Sequence, residues 1–186
     1  IIVKPSLRAD SVISFTTPSF RDFVSQLAEL SGIKIKCLED YLNAIDIRLN
    51  LFSDAGCEYA DHSLDAGFRF VPVSSGEASS LFGKLLQTGE ISPAETVKLQ
   101  SYVLLFMGRC YARRNWNMQL HIGAKRDTNT QLRTRLGPAG GYAAIGSACD
   151  VNSLVCFLDT LNEEDSLPRT ILYTLNPADN AVFATL

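Results

Sequence analysis

Two imidazoles, with acids and guanidiniums close to them in sequence, are the side chains best suited to move protons and hold anions. His121 stands in the run Asn117–Ile122 and is followed by Gly123, Ala124 and the charged pair Arg126-Asp127. His62 stands in Asp61-His62, with Asp65 shortly after. A third polar group, Lys4, Ser6, Arg8 and Asp10, follows the apolar Ile1–Val3, and a fourth holds only Asn176 and Asp179. An arginine binds a carboxylate through paired hydrogen bonds, and an aspartate or imidazole can transfer a proton. Gathered at neighbouring strand ends, such groups would bind and deprotonate an anionic substrate. Taken singly, each has a plainer reading. His121 fits a hydrogen-bonded structural histidine, Asp61-His62 a surface turn and Arg126-Asp127 a solvated pair. Ala112-Arg113-Arg114 fits a helix end that complements the dipole, and Trp116 fits packing.

Bulk properties narrow the classes of function. The 186 residues are 46% hydrophobic and 20% charged, enough for one domain with a substantial core. With 17 basic and 20 acidic side chains the net charge is −3, so no positive field draws in nucleic acid or an anionic membrane. No apolar run approaches the roughly 20 residues of a membrane span, and no signal peptide is visible. Cys37, Cys57, Cys110, Cys149 and Cys156 are odd in number and hold no C-x-x-C pair. That argues against a disulfide framework and a structural zinc cluster, so reduced thiols in a cytoplasmic protein are expected. Nucleotide binding and hydrolase nucleophiles lack a signature, since G-x-G-x-x-G, the P-loop and G-x-S-x-G are all absent. Two histidines cannot by themselves close a metal site, which usually takes three or four protein ligands. The chain starts on Ile1-Ile2-Val3 without methionine and stops at Ala184-Thr185-Leu186 without a polar tail. A segment of a longer protein is therefore expected.

The elements that must position these groups follow from hydrophobic periodicity. Ile1–Pro5 reads as a short strand. Phe20, Phe23, Val24, Leu27 and Leu30 keep helical spacing, and Ser31-Gly32 ends that helix. A second helix, from about Leu38 to Ala55, is closed by Gly56, since glycine takes the left-handed cap without penalty. Cys57–His62 is a short strand candidate, and a helix follows from about Glu77 to Leu86. Ser92-Pro93-Ala94-Glu95 is a capping box with proline in the first helical position, and it predicts a helix to about Arg114. Asn117–Ile122 is the next strand. A loop rich in Gly, Asn and Thr then runs from Arg126 to Ser147, a length that is more often functional than filler. A helix from about Asp150 to Leu161, a strand Thr170–Leu175 and a helix begun by Asn176-Pro177 complete the order. Strands separated by helical crossovers imply a parallel α/β sheet. It is either a small open sheet or half of a (β/α)8 barrel, and the abrupt ends favour the half barrel. In such a barrel the reactive groups lie at the C-terminal ends of strands.

Four stretches together resemble one known family. Gly56-Cys57-Glu58-Tyr59-Ala60-Asp61-His62-Ser63-Leu64-Asp65 is similar to the G-C-x-x-S-D-H-x-L-D segment of uronate isomerases. Tyr111 to Ala124 (YARRNWNMQLHIGA) resembles that family's Y-A-x-R-x-W-x-x-Q-x-H-I-G-A. Leu136-Gly137-Pro138 and Thr170–Pro177 match two further landmarks in the same order. The resemblance covers the whole chain and implies an α/β fold, part of a (β/α)8 TIM barrel of the metal-bearing amidohydrolase superfamily. Residues 1–186 would form one partial barrel domain, about strands three to six with helical insertions, of a protein more than twice as long.

The activity implied is aldose–ketose isomerisation of an open-chain hexuronate, D-glucuronate to D-fructuronate or D-galacturonate to D-tagaturonate. A proton leaves C2 and returns to C1 through an enediol, with a divalent metal, commonly zinc, polarising the substrate oxygens. Carried over residue by residue, His121 matches a strand-end histidine facing metal and substrate. Arg126 matches the arginine of G-A-x-R, Asp61 the acid of S-D-H, and Arg8 the arginine of P-S-W-R-P-D. The resemblance thus implies catalytic roles for His121, Asp61 and Arg126, substrate binding by Arg126 and Arg8, and metal ligation by His121. The family's other ligands, an H-x-H and an aspartate, have no counterpart here. Leu7 and Ala9 replace the tryptophan and proline of P-S-W-R-P-D, and Tyr142-Ala143-Ala144 stands where the family has F-D-S, so both loops are expected to differ. The expected partners are a small uronate and, for the parent protein, further copies of itself. Two rival readings are a noncatalytic α/β module in which His121 and Arg126 hold an anion, and a metal-dependent hydrolase of the same superfamily.

Overall fold

The computed structural model describes residues 3–65 and 67–186. In chain order the elements are β1 (Leu7–Arg8), α1 (Phe20–Ser31), α2 (Leu38–Asp54), β2 (Tyr59–Asp65), α3 (Ser75–Thr88) and α4 (Pro93–Arg113). Then come β3 (Asn117–Ile122), β4 (Ala124–Lys125), α5 (Thr130–Leu136), β5 (Ala144–Ile145), α6 (Val151–Glu163), β6 (Thr170–Thr174) and α7 (Asn180–Phe183). Short 3-10 turns lie at Asp10–Ile13 and Pro177–Asp179. Four strands pair in the order β1-β2-β3-β6, every pair parallel, and β4 and β5 form a separate antiparallel ribbon. Each parallel step is spanned by helices, as a parallel pair requires.

Alternation along the strands divides the sheet into two unlike faces. Ala60, His62 and Leu64 of β2, with Met118, Leu120 and Ile122 of β3, are buried against the helices. There they meet α4, whose Leu99, Leu104, Met107 and Tyr111 are also buried, and the aromatic cluster of Phe20, Tyr41 and Phe82. Each buried Leu, Ile, Met or Phe among them contributes about 1.5–3 kcal/mol by leaving water. The opposite face carries Tyr59, Asp61, Ser63 and Asp65, then Asn117, Gln119 and His121, then Ile171 and Tyr173. These residues are intermediate or exposed, because the described residues place no layer over them.

Local chemistry sets most boundaries. Ser92 accepts from the Glu95 backbone N–H while the Glu95 carboxylate accepts from that of Ser92, the capping box expected from sequence. Gly56, at φ 80°, lets α2 end in a paired turn in which Gly56 N–H donates to Ser53 and Cys57 N–H to Phe52. That turn occupies Cys57, so β2 begins later than the expected Cys57–His62 and runs on to Asp65. Asp61 and His62 are consequently mid-strand. The expected strand at Ile1–Pro5 is displaced as well. β1 is Leu7–Arg8, paired to Ala60 and Asp61 because Leu7 packs on the core. Val3 to Pro5 are irregular, and Ile1 and Ile2 lie outside the described residues. The Arg126–Ser147 loop is also not structureless: it carries α5, with Asn129 as its N-cap, and β5 returns to pair with β4.

Candidate active site

Register brings the polar side chains of the open face into rows. Arg8, Asp61, Gln119 and Ile171 lie opposite one another in one row. Ser63, His121 and Tyr173 form the next, one step nearer the C-terminal strand ends. After Ser63 the pairing slips: Ser63 faces His121 but Asp65 faces Ile122, a bulge that leaves Asp65 at φ 32°. Bulges re-aim side chains beside functional sites. Here the bulge sets the Asp65 carboxylate against Arg126, whose Nε lies 3.0 Å from both carboxylate oxygens.

Arg126 reaches that position because β3 stops at Gly123. At φ 91° glycine turns the chain where a side chain would be strained, and β4 then packs against β2. From the other side Arg8 arrives on β1. Its Nε and Nη2 lie 2.9 and 2.8 Å from Asp10 Oδ2, and its Nη1 lies 3.3 Å from Asp61 Oδ1. Both arginines converge on one hydroxyl: Arg8 Nη2 donates to Ser63 Oγ at 2.7 Å and Arg126 Nη2 at 3.3 Å. The Ser63 backbone N–H donates to Asp10 Oδ1 at 2.7 Å, which ties the 3-10 turn after β1 to the strand.

The two guanidiniums are unequally committed. A guanidinium has five N–H donors. Those of Arg8 go to Asp10 and Ser63, and its Nη1 faces Asp61 Oδ1 only as an ion pair at 3.3 Å. Arg126 engages Asp65 through Nε and Ser63 through Nη2, which leaves Nη1 and the outer edge of the fork to take another anion. Hydrogen bonding to Asp65 raises its pKa further, so it stays cationic.

His121 stacks on Tyr173, with ring centroids 4.7 Å apart and planes within 8°. Tyr173 Oη donates to Gln119 Oε1 at 3.0 Å. The sequence-derived candidates Arg8, Asp61, His121 and Arg126 are therefore brought to one face of three adjacent strands. Sequence reasoning left out Ser63, Gln119 and Tyr173. The signal for the first two was available, because alternation from Asp61 and His121 places them on the same face.

His62 does not join them. Fully buried on the helix side, it shares a 2.9 Å hydrogen bond with Tyr111 Oη, and its Nδ1 has no partner among the described residues. Burial pushes its pKa down to about 4, against a smaller opposing effect of Asp10. Trp116 is a packing residue as expected, buried and stacked on Tyr111 at 5.9 Å. Arg126-Asp127 is not a mutual pair, since Arg126 turns to Asp65 and Asp127 to Arg133.

No group of three His, Cys, Asp or Glu side chains among the described residues is arranged to hold a metal ion. The donors of this chain alone do not fit such a site, and His121 offers at most one ligand. The larger depressions, about 930 and 710 Å³, lie along β6 and α7, where Ile171 and Tyr173 line the first, and between α1 and α3, away from Arg8, Asp61, Ser63, His121 and Arg126. A smaller cleft of about 230 Å³ does reach them, lined by Ser63 and Asp65.

A family model described as glucuronate isomerase matches residues 1–186. The uronate isomerase of Caldanaerobacter subterraneus subsp. tengcongensis is 41% identical over 186 residues, which is 100% of this chain and 40% of that relative. That of Caldicellulosiruptor bescii is 39% identical over 184 residues, 99% of this chain and 39% of its own length. Among solved structures, the uronate isomerase of Thermotoga maritima superposes with a TM-score of 0.89 at 25% identity, covering 98% of this chain and 40% of that one. The glucuronate isomerase of Caulobacter crescentus follows with a TM-score of 0.84 at 26% identity, covering 95% and 36%. The chain thus spans about 40% of the length of the curated relatives it matches. Its parallel strands and covering helices are a segment of a (β/α)8 barrel.

Proposed function

The chain belongs to the glucuronate isomerase family, and from that premise we propose that the whole protein interconverts the aldose and ketose forms of an open-chain hexuronate. D-Glucuronate and D-galacturonate are the substrates, D-fructuronate and D-tagaturonate the products, and the C2 proton passes to C1 through an enediol. One observation supports this reading above the others: Arg126, half-exposed and with donors to spare, is held by Asp65 at the end of β2 and by Ser63, the residue opposite His121, with Asp61 on the same face.

In this reading Arg126 receives the substrate carboxylate, since its free edge matches two carboxylate oxygens. Arg8, largely neutralised by Asp10 and Asp61, supports the anion from the neighbouring strand. The imidazole of His121, held flat on Tyr173, meets the reacting oxygens, and Asp61 accepts from sugar hydroxyls. A divalent metal, commonly zinc, supplies polarisation of the carbonyl and hydroxyl oxygens when bound. His121 is the one ligand proposed from this segment, and the others belong to the rest of the protein. Membership of the amidohydrolase superfamily and a cytoplasmic location belong to the same proposal. Within the described residues no helix is long and apolar enough to cross a membrane.

The test is turnover by the whole protein. D-Glucuronate should isomerise, and His121→Ala should lower kcat by about 10²-fold or more, the usual contribution of a positioned imidazole. Near-normal rates in H121A would remove His121 from the site. Uronate binding without turnover would instead favour the anion-holding module.

A further inference from the structure

Ser63 carries an inference that rests on the reading above and extends it to a residue outside the four candidates. A serine hydroxyl has two acceptor sites and one proton. Here Oγ accepts from Arg8 Nη2 at 2.7 Å and from Arg126 Nη2 at 3.3 Å, so both acceptor sites are taken by cationic donors. The proton must point away from both guanidiniums, and it makes no hydrogen bond among the described residues. Two positive groups on the oxygen also withdraw charge from it and strengthen its O–H as a donor.

Position decides what accepts that proton. Ser63 lies opposite His121 in the register of β2 and β3, on the open face, beside the uncommitted edge of Arg126. Of the three neighbouring carboxylates, Asp10 accepts from Arg8 and the Ser63 N–H and Asp65 from Arg126, while Asp61 faces Arg8 only as an ion pair at 3.3 Å; none accepts from the Ser63 hydroxyl. An incoming carboxylate that lays one oxygen on the Arg126 fork brings its other oxygen toward the Ser63 hydroxyl. We propose that Ser63 is a substrate-binding residue whose hydroxyl donates to the hexuronate carboxylate held by Arg126, and that Arg8 serves chiefly to orient that hydroxyl.

The experiment uses the whole protein, with D-glucuronate as ligand and calorimetric binding as the first readout. Ser63→Ala should weaken binding about tenfold or more, the usual effect of losing a hydrogen bond to a charged group. It should raise KM far more than it lowers kcat, and Ser63→Thr, which restores the hydroxyl, should recover most of the affinity. Thermal unfolding of both variants should match that of the unsubstituted protein. Unchanged glucuronate affinity in S63A overturns the proposal, as does a folded S63T that binds no better than S63A. A fall in kcat alone, with KM unmoved, also overturns it, because a purely structural role predicts that pattern. If the unsubstituted protein binds glucuronate but does not isomerise it, the functional reading fails while the binding comparison still judges Ser63. If it does not bind glucuronate at all, both fail.

Discussion

Asp61 and His62 are neighbours in β2 and live in opposite environments, since alternation turns one to the open face and the other into the helices. For His62 this has a pH consequence whose sign follows from burial. Its pKa falls from an ordinary 6.5 to about 4, so the unfolded chain binds more protons than the folded one between those values. Stability should therefore rise with pH across that window and be lost as pH falls from 6.5 toward 4, by about 3 kcal/mol at the lower end. Chemical denaturation of the whole protein at pH 7, 6, 5 and 4 reads this slope, and His62→Gln should flatten it. An equal slope in the variant would mean that other groups carry the acid sensitivity. At this scale the sequence was half legible. The type and spacing of Asp61, His121 and Arg126 pointed to the open face. Ser63 did not stand out, because its environment is made by two arginines that arrive from β1 and from the residue after β4.

Elements whose ends are written in adjacent residues could be read directly. The capping box at Ser92 and the turn at Gly56 both appear where the sequence places them, because each is satisfied by backbone groups within six residues. Elements defined by a partner could not. Ile1–Val3 has the propensity of a strand, yet the residues that pair with Ala60 and Asp61 are Leu7 and Arg8. β2 outran its expected end because its last residues pair across a bulge with β3, which nothing in their own sequence announces. α4 shows what a well-encoded start contributes. Beyond its capping box, its C-terminal turn is pinned to α2 by Arg114, which donates to Asp46 at 2.9 Å and Asn50 at 2.6 Å. Ser92→Ala removes one half of the box and should cost about 1 kcal/mol. Ser92→Asp, which keeps an acceptor at the cap, should restore most of it. Denaturation midpoints of the two variants in the whole protein measure the difference, and equal midpoints would show that packing of α4 makes its cap irrelevant.

A sheet with one covered face has a definite expectation when it stands alone. On the open face Tyr59, Ile171 and Tyr173 are each about 40% exposed, and Leu175 beyond β6 is 55% exposed. β1 and β6 are edge strands, and an uncovered edge with apolar neighbours is a template for pairing with another chain. Relatives in the family are about two and a half times as long, as the 40% coverage implies, and a barrel closes by bringing its remaining strands to these edges. The 186 residues expressed alone should therefore self-associate. Size-exclusion chromatography would give an oligomer or aggregate, with no turnover of D-glucuronate even with added zinc, since no three-ligand group is present among the described residues. Ile171→Lys and Tyr173→Lys, both on the open face of the β6 edge, should shift the segment toward monomer without producing activity. A stable monomer from the unaltered segment would show that the half sheet buries enough surface unaided. Measured isomerisation by it would show that one imidazole, two arginines and the carboxylates of this face suffice for the chemistry.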